Sequence, residues 1–258
     1  MGITRSPLTF FVLVFILSIP FWVMGAFMEV QLLPALPVSA LAVVCPAAAA
    51  FMLVYRENGS AGVKALLKRA LDYKKIRVLW YAPILLLIPG ATGLSYALMR
   101  MMGMPLPPPQ FLFVPALAMF VMFFFGAIGE ELGWSGYATD PMQERWGALQ
   151  ASLVLGLVWA AWHVIPLIQA HRSFAWIAWW SFDAVALRVL VVWLYNNTSK
   201  SVFAAILFHA VRNLTWQFFP EYGSHWDPRI VGPITAFAAA IVTIVWGPRT
   251  LARFRTAA

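Results

Sequence analysis

Charge is what this sequence has least of. Only 11% of its 258 residues are Asp, Glu, Lys or Arg, against about 25% in an ordinary soluble domain. So few charged side chains cannot cover the surface of a water-soluble globule of this size, which excludes a soluble fold of one or two domains. Cys45 is the single cysteine, so there is no disulfide framework. Low-complexity tracts and internal repeats are missing as well, which excludes disordered and collagen-like chains. What is present is apolar: 62% of residues are hydrophobic, and the mean hydropathy is +0.78. The class that remains is an all-α polytopic membrane protein, a single integral membrane domain over residues 1–258.

A bilayer core about 30 Å thick takes roughly 20 apolar residues of helix. Such runs occur at 8–28, 33–55, 78–99, 111–128, 149–168, 176–195, 202–219 and 231–246, which predicts about eight transmembrane helices. None alternates with the period of a barrel strand. The first run is longer than a signal-peptide core and lacks a small-x-small cleavage site, so it reads as a true span. Lys and Arg in the loops set orientation. With eight spans, one side holds thirteen of them: Arg5, Arg56, Lys64, Lys68, Arg69, Lys74, Lys75, Arg77, Arg145, Lys200, Arg249, Arg253 and Arg255. The other side holds three, Arg100, Arg172 and Arg229. That asymmetry predicts a multi-pass protein of the cell (inner) membrane with both termini cytoplasmic. Within it, residues 59–77 space Val63, Leu66, Leu67, Ala70 and Leu71 helically among Lys64, Lys68 and Arg69. This basic amphipathic segment is expected to lie on the anionic face of the lipid bilayer, rather than to bind nucleic acid. Cys45, in an apolar run, reads as packing and not as a nucleophile.

Ionisable groups inside spans are costly and therefore functional candidates. They are Glu130, Glu131, His163, Asp183, Arg188, His209 and Arg212, with Asn213 alongside. If the helix carrying Glu130 and Glu131 runs on to about Asp140, the pair is buried in the membrane, since Pro141 is the first clear stop. His163 and His209, on later spans, fall at a similar depth. Asn213 follows His209 at i+4, on the same helical face. A buried carboxylate near two imidazoles suits a general base. It also suits a proton relay in a transporter, and two histidines at one depth could hold a haem. These three chemistries remain open on the residues alone.

The ordered set Glu130-Glu131 with Gly133-Trp134 and Gly136-Tyr137, then Trp159-x-x-x-His163, then His209-x-x-x-Asn213, resembles the CPBP intramembrane proteases. These are also called the Abi family and are related to the type II CAAX prenyl endopeptidases of the Ras-converting enzyme family. The likeness spans residues 123–214. It implies an eight-helix fold with a catalytic core in the later helices, and peptide-bond hydrolysis of a membrane-associated peptide or protein within the membrane. On that likeness Glu130 activates water and Glu131 holds the site in place. His163 orients the water or a metal, and His209 and Asn213 stabilise the oxyanion. If a metal is used, Glu130, His163 and His209 are its ligands and zinc is the candidate, although no H-E-x-x-H motif is present. One departure stands out: the family's Glu-Glu-x-x-x-Arg places an Arg where this chain has Ser135. Arg212 could supply that charge, but is expected to pair structurally with Asp183. The loss of the Arg also admits a catalytically inactive, scaffold-type member.

Overall fold

Almost every segment long enough to matter is helical, because a backbone surrounded by lipid must satisfy its own hydrogen bonds. The computed structural model describes residues 6–109 and 113–253. Arg5, Arg255 and the expected start of the fourth span at Phe111 lie outside them. Helix α1 (Pro7–Phe27) leads to a short antiparallel hairpin, β1 (Gln31–Leu33) and β2 (Leu36–Pro37), in which Leu33 pairs with Leu36. A 3-10 turn (Val38–Val44) then runs into α2 (Cys45–Lys68). The second span therefore begins at Val38 and not at residue 33, whose neighbourhood is folded into the hairpin.

Helix α2 breaks at Gly59, where φ is 61° and ψ is −158°. A side chain disfavours that conformation, and glycine accepts it. The break frees the basic amphipathic stretch from the spanning half. Three 3-10 turns (Arg69–Leu71, Tyr73–Lys75 and Val78–Trp80) carry the chain into α3 (Tyr81–Met101). Then follow α4 (Phe113–Gly133), a π turn (Trp134–Ala138), α5 (Thr139–Trp146), α6 (Ala148–Gln169) and α7 (Phe174–Asn197). The chain ends with α8 (Val202–Phe218), the one-turn α9 (Pro220–Gly223) and α10 (Pro228–Trp246).

Among the described residues, seven helical segments are long and apolar enough to cross a membrane, one fewer than expected. The exception is α8, with 17 residues. Its apolarity reflects burial against α4, α3 and α7, not contact with lipid. Hydropathy cannot separate those two reasons for being apolar. Helix α7 is the bundle's axis: Val189 to Tyr195 are all buried, packed between α6 and α10. The outer helices turn Leu8, Phe27, Leu86 and Phe237 outward, as lipid-facing surfaces do.

The helix carrying the paired glutamates does not stop near Asp140. It passes through the π turn and continues as α5 to Trp146, with Pro141 just past the widened turn, where the helical ladder is already interrupted. Two glycines let α4 lie against the preceding segment. A Cβ at Gly129 would fall 2.6 Å from the Val43 carbonyl oxygen, and one at Gly133 would fall 2.5 Å from that of Pro46. This small-residue contact fixes the depth and rotation of α4, and with them the direction of Glu130 and Glu131.

Candidate active site

Consecutive helical residues point about 100° apart, so Glu130 and Glu131 face different directions from the same turn of α4. Glu130 turns into a cavity of about 250 Å³. The same cavity is lined by Trp159 and His163 of α6 and by His209 and Asn213 of α8, with the hairpin and the 3-10 turn as an apolar wall. Four of the five residues singled out from the motifs thus meet at one cavity. The fifth, Glu131, lies behind it.

Glu131 is fully buried and accepts from three directions. Arg188 of α7 donates from Nη1 to both carboxylate oxygens, at 3.1 and 2.9 Å. Nδ1 of His209 donates to Oε1 at 2.9 Å. The Ser135 hydroxyl, one turn along in the π segment, donates to Oε2. A buried carboxylate needs this degree of satisfaction to remain ionised in a low-dielectric interior. Because the acceptor fixes the proton on Nδ1, the other ring nitrogen of His209 faces Glu130. Nε2 lies 3.9 Å from Glu130 Oε1.

Glu130 is held by a different helix. The indole Nε1 of Trp159 donates to Glu130 Oε2 at 2.7 Å, which leaves Oε1 as the oxygen facing His209. The Trp159 ring is itself gripped, with the Arg188 guanidinium 4.7 Å from its centroid. His163 donates from Nδ1 to the Trp159 carbonyl at 2.8 Å and sits among the rings of Trp159, Trp162 and Trp180, with centroids 4.7 to 5.0 Å away. Arg212, the candidate replacement for the missing motif Arg, pairs instead with Asp183 at 3.1 Å. It lines the cavity but makes no ion pair with Glu130 or Glu131.

The π turn that follows the glutamates is anchored from outside the bundle. Arg69, in the basic segment after α2, donates to the Gly136 carbonyl at 2.7 Å and to Tyr195 Oη at 2.6 Å. The Thr139 hydroxyl donates to the Trp134 carbonyl at 2.9 Å. The Arg69 bond to Gly136 satisfies a backbone oxygen in the widened turn, and the Trp134 carbonyl accepts from both the backbone N–H and the hydroxyl of Thr139.

Residues 112–215 match the family model described as type II CAAX prenyl endopeptidase, Rce1-like. The resemblance carried by the three motifs is thereby shown. The chain is also similar to CAAX prenyl protease 2 of Methanococcus maripaludis, with 26% identity over 263 residues, covering 92% of this chain and 93% of the relative. The Rce1-like segment contains every residue lining the polar end of the cavity, from Glu130 to Asn213.

Within that segment Glu130 Oε2 is engaged by Trp159, Nδ1 of His163 by a carbonyl and Nδ1 of His209 by Glu131, the kind of support that orients histidines which ligate through Nε2. Among the described residues, no three His, Cys, Asp or Glu side chains converge as a metal site needs.

Two site contributors are not apparent from the motifs. Arg188 is visible in the sequence only as a buried cation without an assigned partner. Trp159 is visible only as the aromatic of the second motif. For Arg188 a signal did exist, since a carboxylate deep in a membrane requires a partner and few cations lie within spans. For the Trp159 N–H there was none, because any aromatic would satisfy the pattern.

Proposed function

We propose that this chain is a CAAX prenyl protease-type intramembrane endopeptidase that cleaves a membrane-associated peptide or protein with a glutamate-activated water. The observation that carries the reading is the 3.9 Å gap between Glu130 Oε1 and His209 Nε2 inside the cavity. That separation is too long for a direct hydrogen bond and is spanned by one water touching both atoms. Glu130 takes a proton from this water as its oxygen adds to the scissile carbonyl carbon. The Asn213 amide, together with Nε2–H of His209 when both ring nitrogens are protonated, donates to the developing oxyanion. Glu131, fixed by Arg188, keeps the His209 ring in register, and His163 helps orient the water. When the tetrahedral intermediate collapses, the C–N bond breaks and Glu130 returns the proton to the leaving amine. The matched family and the name of the Methanococcus relative support a protease of this type.

The scaffold reading rested on Ser135. The Arg188–Glu131 pair weighs against it, because a guanidinium from α7 provides the charge that the family motif places at position 135. The test is turnover of an internally quenched peptide substrate in proteoliposomes. Glu130→Gln and His209→Ala are each expected to reduce cleavage to background while the proteins insert and elute as the wild type does. Either variant retaining near-wild-type turnover would refute the assignment.

A further inference from the structure

Hydrolysis inside a bilayer consumes a water that the surrounding lipid cannot supply, and the catalytic cavity has a largely apolar wall. A second, very small cavity of about 10 Å³ adjoins it, and Arg212 and Trp216 line both. That volume is close to a single water-sized sphere. Two polar atoms of its lining residues, Asp183 Oδ1 and Trp216 Nε1, are buried with no hydrogen-bond partner among the described residues. One is an acceptor and the other a donor. Asp183 is 2% exposed, and its second oxygen is taken by Arg212. Leaving both atoms unpaired would cost about 1–3 kcal/mol each, so a partner common to the two is the economical solution. Thr92 and Thr235 add hydroxyls to the same wall.

On its far side the small cavity is closed by Trp226, which also lines a polar vestibule of about 490 Å³. The vestibule lies at the ends of α3, α7 and α10, where Arg172, Asp227 and Ser224 add polar groups to its lining. The Arg212 guanidinium stacks 5.2 Å above Trp226, so one side chain touches every compartment boundary between the vestibule and Glu130.

We propose that Asp183 and Trp216 hold a buried water, and that this site is the middle station of a path delivering water from the vestibule to the catalytic cavity. The water site stands on the two unpaired atoms alone, whereas its role as a supply path rests on the hydrolytic reading above. Hydroxyl-radical footprinting of the full chain in nanodiscs reports water at buried side chains. Turnover measured on the same samples reports supply. Because Trp216 lines both cavities, the comparison that isolates the small one is wild type against a variant in which it is filled. In Ala91→Val, which fills the small cavity, kcat should fall several-fold with KM unchanged, and Trp216→Phe, which removes the donor, should lower kcat as well. Ala91→Val should also lower Trp216 oxidation below that of wild type. Trp216 oxidation equal in Ala91→Val and wild type overturns the water site. Loss of the footprint in Ala91→Val with kcat unchanged overturns the supply path. A wild type that shows the footprint but no hydrolysis refutes the protease reading instead, and leaves the water site standing on its own signal.

Discussion

Replacing Arg188 with Met is expected to be among the most damaging single changes in the membrane domain. Both members of the Arg188–Glu131 pair are essentially inaccessible, with side chains 1% and 0% exposed. Removing the guanidinium strands a carboxylate where water cannot reach it, and breaking a buried pair in this way costs about 3–5 kcal/mol. The lost stacking on Trp159 adds to that, since a desolvated cation–π contact contributes roughly 2 kcal/mol. The remaining donors to Glu131, from His209 and Ser135, prevent the cost from rising further. If the penalty is the stranded charge, removing that charge as well must relieve it. The double variant Arg188→Met/Glu131→Gln should therefore be less destabilised than the sum of the two singles, by about 1–3 kcal/mol. Reversible unfolding in mixed micelles, followed by circular dichroism, measures all four corners of the cycle. A single-variant cost below about 1 kcal/mol, or effects that add to within about 0.5 kcal/mol, would show that the pair does not carry the site.

The pair also makes a prediction about position 135. Ser135→Arg should destabilise the protein, because it forces a second guanidinium beside Arg188. The same change should be tolerated in an Arg188→Ser background, where melting temperature and peptide turnover should both recover partly; equal damage in both backgrounds would refute the relocation of charge. Trp159→Phe keeps the ring and removes the N–H that engages Glu130. A hydrogen bond to a charged group is worth about 1.5–3 kcal/mol, so kcat should fall roughly ten- to a hundredfold with KM within about twofold. A change in KM alone would mean that Trp159 shapes substrate binding and not the base. Gly133→Ala places a methyl group against the Pro46 backbone, and should cost about 1–3 kcal/mol of stability in the same unfolding assay. Wild-type stability there would show that α4 and α2 can separate without penalty.

The fold was largely legible because lipid imposes a crude rule. Long apolar runs must be helices, and the sequence contains them. The rule failed where apolarity had another cause. Helix α8 is apolar because protein covers it, and Leu33 is apolar although it belongs to a hairpin. It failed again at Pro141, which looked like a helix stop but lies within a helix that runs on to Trp146. The candidate site was legible for the same reason that made the chain recognisable as a membrane protein. With so few ionisable groups in the spans, each drew notice by its cost. What could not be read was the pairing, because Glu131, Arg188 and His209 belong to three different helices and meet only through packing. Glu130 and Glu131 illustrate the limit. Adjacent in sequence, they look like one feature and invite one role. The helix turns them about 100° apart, one toward a cavity and an indole N–H, the other into a cage of three donors. A carboxylate neutralised by Arg188 is poorly suited to accept a proton, and one facing a cavity is poorly suited to fix a scaffold. The different surroundings of the two acids therefore follow from the 100° turn between neighbours, which leaves Glu131, and not Glu130, in an ion pair with Arg188.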